Sequence, residues 1–287
     1  MKKYDAIVIG SGFGGLSSAL TLQSMGLSVA LIEALDKVGG RAYVECKNGF
    51  KFDRGPSIIT APFLIDDVFQ LSGANREDYC KFIPVDPFYN VVFHDGTNIG
   101  HYNSEEKFLA EINKICPEEV EGVKAFFNHA EKIFQKGFVE LGDKNFSNPF
   151  SMLGVAPQLL KLNAIRPVYS MVSKFVKNEK IRQFLSFHPL LIGGNPFRAS
   201  AVYSLINRLE RAYGVYHPIG GMNALAESFN KRFEELGGVT LLSSPVESVT
   251  KDSNGNFEVQ TQDKTLLANK IVVNADMHRF VKTVLKG

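Results

Sequence analysis

The distribution of apolar and polar residues changes character along the chain, and each change predicts an element. Residues 4–9 (YDAIVI) are a short, nearly unbroken apolar run rich in β-branched side chains, the pattern of a strand covered on both faces. After a glycine-rich turn, Leu16, Ala19, Leu20 and Leu22 recur at helical spacing, with Gly26 as the stop. LSVALIE then predicts a second buried strand that ends in Glu33. From about residue 76 to 210 the period becomes helical, as in EEKFLAEINKI and VEGVKAFFNHAEKIFQKGF. Gly220-Gly221-Met222-Asn223-Ala224-Leu225 then opens a helix to about Leu236, with Ala226, Phe229 and Phe233 on its inner face and Gly237-Gly238 closing it. VTLLSS predicts another strand, and PVESVTK, a turn at Asn254-Gly255, FEVQTQ and KIVVNAD predict a β-meander that rejoins the first sheet. The expected fold class is α/β: a Rossmann-like nucleotide-binding domain made of residues 1–75 and 215–287, with a mainly helical domain, 76–214, inserted.

The first turn carries chemistry. Gly10-Ser11-Gly12-Phe13-Gly14-Gly15 contains G-x-G-x-x-G between a predicted strand and a predicted helix. Gly10 permits the tight turn, Gly12 lets backbone approach a pyrophosphate, and Gly15 lets helix and strand pack closely. The helix N-terminus offers unpaired N–H groups and partial positive charge to that pyrophosphate. Glu33 lies 18 residues beyond Gly15, where a carboxylate accepts hydrogen bonds from ribose hydroxyls and repels a 2′-phosphate. FAD and NAD therefore remain open and NADP is disfavoured. A second element, Lys37-Val38-Gly39-Gly40-Arg41-Ala42, combines close-approach glycines with a fixed cation, and is followed by Gly49 through Arg54-Gly55-Pro56. Taken alone, that element is equally a turn and hairpin with a solvated arginine.

Composition narrows the classes. Of 287 residues, 45% are hydrophobic and 22% charged, which excludes a disordered or collagen-like chain and fits two lobes. The net charge of +2 gives no global field for nucleic acid. Cys46, Cys80 and Cys116 are far apart with no CxxC, which predicts reduced thiols and a cytoplasmic protein. No run reaches the ~18 apolar residues of a transmembrane helix, and no secretory cleavage pattern stands at the start. No metal site or Ser/His/Asp constellation is visible, and His188 and His217 read as structural histidines.

There are 23 Phe and no Trp. Phe126, Phe127, Phe134, Phe138, Phe146, Phe150, Phe175, Phe184 and Phe187 fall in the helical part. They predict core filling there, with a subset available to line an apolar cavity. Residues 151–182 carry Lys161, Arg166, Lys174, Lys177, Lys180 and Arg182 against Glu179 alone, a local +5. Met152, Leu153, Leu159, Leu160, Leu162, Ile165, Met171, Val172, Phe175 and Val176 are interleaved with them. Such a stretch predicts either a solvated face over a core or contact with an anionic bilayer.

GSGFGGL, IEALDKVGGRAYV, GFKFDRGPSIIT and GGNPFRASAVYSLINRLERAYGVYHPIGGMNAL together resemble the bacterial phytoene desaturases of carotenoid synthesis, from Tyr4 to about Asp276. The N-terminal blocks specify only the wider flavoprotein group that also holds amine oxidases and carotenoid isomerases; Phe187 to Leu225 is the more specific block. The resemblance implies FAD as cofactor, held by Gly10, Ser11, Gly12, Gly14, Gly15, Glu33, Gly40, Arg41, Gly55, Pro56, Ser57 and the backbone around Val246. It implies dehydrogenation of a CH2–CH2 unit in a phytoene-like polyisoprenoid, with hydride passing to the flavin and a proton lost from the neighbouring carbon. Oxygen or a quinone would reoxidise the flavin, and no general base is identified. Peripheral association with the inner face of the cell membrane follows from the lipid-soluble substrate. The relatives continue beyond the point matching Asp276, so a complementing C-terminal chain is a further expectation. The competing readings are a carotenoid isomerase or oxidase of the same fold, and a non-catalytic FAD-binding fragment.

Overall fold

The computed structural model describes residues 2–142 and 156–285. The chain forms two compact units, Met1–Ile83 with Tyr216–Gly287, and Pro84–Val215.

In the first unit, β1 (Lys3–Ile9) leads through the glycine turn into α1 (Phe13–Ser24), and β2 (Val29–Ile32) returns alongside β1 in parallel. Every residue of β2 is buried, as its VALI sequence requires of a strand covered on both faces. A hairpin of β3 (Val44–Lys47) and β4 (Phe50–Asp53) follows, then α2 (Pro62–Leu71).

The second unit opens with an element absent from the helical expectation, an antiparallel pair of β5 (Tyr89–Val92) and β6 (Asn98–His101). Its signal is Asp95-Gly96: Gly96 has φ +85°, and Asp95 Oδ1 accepts the Thr97 N–H at 3.1 Å. The helices α3 (Glu105–Ile115), α4 (Val120–Phe134), α5 (Glu179–Ser186) and α6 (Ser204–Tyr213) follow in this unit. Phe108, Phe126, Phe127 and Phe184 meet in their core with Met171, Val172 and Val176. Phe134 is buried as well, whereas Phe138, Phe175 and Phe187 are half-buried. Four of the 23 phenylalanines, Phe108, Phe126, Phe127 and Phe184, are thus buried in this helical core. Phe146, Phe150, Met152, Leu153 and the Leu159 side chain lie outside the described residues. The apolar members of the basic segment divide: Met171, Val172 and Val176 are buried, but Leu160 and Ile165 are about 60% exposed.

The chain then returns to the first unit as α7 (Gly221–Glu235), β7 (Val239–Leu241), β8 (Val246–Lys251), β9 (Phe257–Thr261), β10 (Thr265–Val273) and α8 (Met277–Thr283). The sheet has six strands in the order β8-β9-β10-β1-β2-β7. The β10-β1-β2-β7 part is parallel, with Ile7 opposite Ile271, and β8-β9-β10 is the antiparallel meander. From Ala6 to Ile9 the side chains of β1 alternate: Ala6 and Val8 pack with Leu16, Leu20, Leu225 and Phe229 on the α1/α7 face. Tyr4, Ile7 and Ile9 pack with Val249, Val259 and Phe280 on the opposite face. Each such side chain contributes roughly 1.5–3 kcal/mol on burial, so the β1–α1–β2 corner is held from both faces.

Candidate cofactor site

A concavity of about 970 Å3 opens where β1, β2 and β10 end. Gly10, Ser11, Gly12, Gly14, Glu33, Gly40, Arg41, Pro56 and Val246 all line it, brought together from five separate stretches of sequence. Gly15, Gly55 and Ser57 do not line it and act behind the wall. A Cβ on Gly15 would overlap the Gly10 carbonyl oxygen, and one on Gly55 would overlap the Arg41 carbonyl oxygen. The Ser57 carbonyl accepts from His217 Nδ1 at 2.7 Å, which fixes the tautomer of that ring.

The geometry of the turn follows from its residues. Gly10 has φ +94°, and a Cβ there would stand 2.7 Å from the Asn274 carbonyl oxygen. Gly39 N–H donates to the Ser11 carbonyl at 2.9 Å, and Gly40 packs against Gly12, so the second glycine element is fastened onto the first. No side-chain hydrogen bond caps α1 among the described residues, and no acidic residue lies in its first turn. Its leading N–H groups and dipole therefore face the concavity uncompensated, and side chains on Gly12 or Gly14 would press against the Asn274 side chain on the wall of that cradle. That is the fit required by a pyrophosphate.

Glu33 is 7% exposed, and its carboxylate is already in use. Oε2 accepts the Ser11 N–H at 2.8 Å and the Ser11 hydroxyl at 2.6 Å, and Oε1 accepts the Leu35 N–H at 2.9 Å. A carboxylate has about four acceptor positions, so one on Oε1 remains for a ribose hydroxyl. Arg41 is exposed at the opposite lip, and no ion pair to it is formed among the described residues.

Asn274 is a residue that motif reading missed. Its N–H donates to the Ile9 carbonyl at 2.8 Å, and its side chain lies against Gly12 and Gly14. It reaches the turn because β10 pairs in parallel with β1, which places both strand ends at one edge. NAD at residues 274–276 was visible as the end of a strand, without any signal of its partner. Arg279 also lines the concavity; its N–H donates to the Asp276 side chain at the start of α8.

The second unit buries a polar cluster that local sequence does not announce. The Tyr89 hydroxyl lies 2.7 Å from His101 Nδ1 and 3.1 Å from His188 Nε2, and donates to Glu210 Oε2 at 3.0 Å. His101, His188 and Glu210 are fully buried. Burial, with His188 and Arg211 nearby, holds the His101 pKa well below its ordinary value. Burial and the Glu210 carboxylate push the Tyr89 phenol well above its own. His188 thus has an acidic neighbour, Glu210, supplied from α6. Among the described residues no group of three or more His, Cys, Asp or Glu is arranged to hold a metal ion, and no helix is long and apolar enough to cross a membrane.

Comparison with known proteins places this geometry. The phytoene desaturase (lycopene-forming) of Pseudescherichia vulneris is 41% identical over 286 residues, 99% of this chain and 58% of that protein. The neurosporene-forming phytoene desaturase of Rhodobacter capsulatus is 35% identical over 98% of this chain and 54% of its own length. The chain thus spans somewhat over half the length of these relatives. In fold it matches wild-type putrescine oxidase bound to putrescine, with a TM-score of 0.64 at 17% identity, over 99% of this chain and 60% of that one. The family described as flavin-containing amine oxidoreductase matches residues 13–280. With the glycine turn, the acid at the end of β2 and the parallel sheet all in the arrangement that a flavin dinucleotide requires, the chain belongs to the flavin-containing amine oxidoreductase family.

Proposed function

We propose that this protein acts in the FAD-dependent dehydrogenation of phytoene or a related carotenoid precursor. The observation that carries the reading is the 41% identity to a lycopene-forming phytoene desaturase along 99% of the chain, joined to a concavity that fits a dinucleotide. Bound FAD supplies the two-electron acceptor for removing hydrogen from a saturated carbon–carbon bond.

The residues divide the work of binding. Gly12 and Gly14 offer backbone N–H groups and the α1 N-terminus to the pyrophosphate, Gly10 and Ser11, whose own N–H groups donate to Ile32 and Glu33, shape the turn that approaches it, and Gly15 holds α1 against β1. Glu33 takes a ribose hydroxyl through Oε1, and backbone at Val246 meets the adenine. Gly40, Arg41 and Pro56 lie along the dinucleotide, with Arg41 matching its negative charge, while Gly55 and Ser57 support that wall toward the flavin end. Residues 1–75 and 215–287 constitute the FAD-binding domain and 76–214 the substrate domain. The basic stretch within 151–182, where exposed Leu160 and Ile165 accompany Lys161 and Arg166, meets the inner face of the cell membrane. Oxygen or a quinone reoxidises the cofactor.

Two measurements test the reading. The purified protein should take up about one FAD per chain and turn yellow; a colourless protein that ignores added FAD contradicts the cofactor assignment. Disrupting the gene in its host should make a colourless polyisoprenoid precursor accumulate, and an unchanged carotenoid profile contradicts the pathway assignment.

A further inference from the structure

The second unit contains a cavity of about 700 Å3 that none of the preceding assignments uses. Its volume lies within the range of small-molecule sites, roughly 300–1,000 Å3. Val91, Phe93, Phe187, Leu190, Pro196 and Phe197 form its apolar walls, and no charged side chain lines it among the described residues.

Its few polar side chains are occupied. The Tyr169 hydroxyl donates to Glu179 Oε2 at 2.6 Å, and Gln183 Nε2 donates to Glu179 Oε1 at 3.0 Å. The Ser186 hydroxyl donates to the Arg182 carbonyl at 2.7 Å, and Asn195 Oδ1 accepts the Phe197 N–H at 2.9 Å. A ligand carrying a charge would lose its water there and find no counter-charge, at a cost of several kcal/mol. An uncharged hydrocarbon loses nothing and gains the burial of its surface.

Leu190, on the cavity wall, belongs to a turn with further apolar residues. His188–Ile192 forms a single 3-10 turn closed by Gly193 at φ +74°, with the Gly193 N–H donating to the Leu190 carbonyl at 3.0 Å. This turn leaves Leu190, Leu191 and Ile192 more than half exposed. Phe197, 61% exposed, stands on the cavity wall with its ring centroid 4.6 Å from that of Tyr169. The two rings meet at 45° and present apolar ring surface to a hydrocarbon chain.

We propose that this cavity binds the uncharged end of a linear polyisoprenoid hydrocarbon. The inference rests on the carotenoid-precursor reading above and adds where that substrate is held. Diphenylhexatriene, an uncharged linear polyene that fluoresces on leaving water, is the probe, and squalene the competitor. The protein should bind the probe saturably, about one per chain, and squalene should displace it. Phe197→Asp, which puts an unpaired carboxylate on the wall, should weaken binding about tenfold or more. Leu71→Asp, equally exposed but in the other unit, should leave binding unchanged. Circular dichroism reports folding, and Leu190→Asp replaces Phe197→Asp if the latter does not fold.

No saturable binding, or binding indifferent to these wall substitutions, overturns the proposal. Flotation on phosphatidylcholine vesicles that the wall variants lose while the probe still binds one per chain also overturns it, because the surface then serves a bilayer. FAD uptake measured on the same samples separates the two readings. Polyene binding without FAD uptake sinks only the flavin assignment, and FAD uptake without polyene binding sinks only the cavity.

Discussion

The hydroxyl of Ser11 donates to Glu33 Oε2 at 2.6 Å, beside the Ser11 N–H at 2.8 Å on the same oxygen, so one residue of the glycine turn grips the acid at the end of β2 twice. The acid therefore serves the fold before it serves a ligand. It ties the turn to the end of β2, and its other oxygen accepts the Leu35 N–H with one acceptor position remaining.

Ser11→Ala removes one of these two bonds and leaves the backbone bond in place. A hydrogen bond to a charged group contributes about 1.5–3 kcal/mol, of which the surviving N–H bond retains a share. FAD affinity should fall roughly tenfold, while Glu33→Ala, which frees both Ser11 donors, should cost more. Titration calorimetry with FAD measures both; equal affinity in Ser11→Ala and the native protein would mean that the hydroxyl does not position the acid.

Gly15→Ala tests the packing of α1 on the turn. Its Cβ would overlap the Gly10 carbonyl oxygen, and backbone cannot swing aside as a flexible side chain does. Overpacking of this kind costs about 1–3 kcal/mol. The variant should melt earlier in the absence of FAD and bind it poorly, whereas Gly26→Ala, where a Cβ meets no neighbour but φ is +84°, should lose stability without that steric clash. Differential scanning calorimetry gives the comparison, and an unchanged melting point for Gly15→Ala would be the contrary result.

Arg41→Ala should separate binding from folding. Arg41 is exposed and makes no ion pair among the described residues, so the melting temperature without FAD should stay within a degree or so. A charge-assisted contact to phosphate is worth about 1.5–3 kcal/mol, so FAD binding should weaken roughly 10- to 100-fold. The loss should shrink at high salt. Undiminished FAD affinity would remove Arg41 from the site.

The buried cluster of the second unit predicts a pH dependence of stability. His101 resists protonation when folded, but in the unfolded chain a histidine takes up a proton near pH 6.5. The unfolded state then binds more protons, so this contribution is fully present above about pH 6.5 and is lost as pH falls below it. His129, also held down by burial, adds to the same limb. Tyr89 acts at the other end: its raised pKa means that stability falls as pH rises beyond about 10. Urea midpoints between about pH 5 and 6.5 should fall with acid less steeply in His101→Gln than in the native protein. The difference isolates His101 from His129, and parallel slopes would contradict the assignment.

What the chain alone determines is local and periodic. YDAIVI, the glycine turn, the spacing of Leu16, Ala19 and Leu20, and VALI specify β1, α1 and β2, because backbone freedom and side-chain period act over a few residues. Gly10, Ser11, Gly12, Gly14 and Glu33 were legible for the same reason. Asp95-Gly96 was equally local, but its hairpin was hidden by the helical period on either side.

Tertiary structure decided what depends on distant segments meeting. Asn274 reaches the turn only because β10 pairs with β1, and Glu210 finds Tyr89, His101 and His188 only when helix and hairpin pack together. It also sorted the phenylalanines, sending Phe126, Phe127 and Phe184 into the helical core and leaving Phe197 on an open wall. Side-chain type records that a residue prefers to leave water; which neighbours it meets there is set by contacts that the order of residues does not contain.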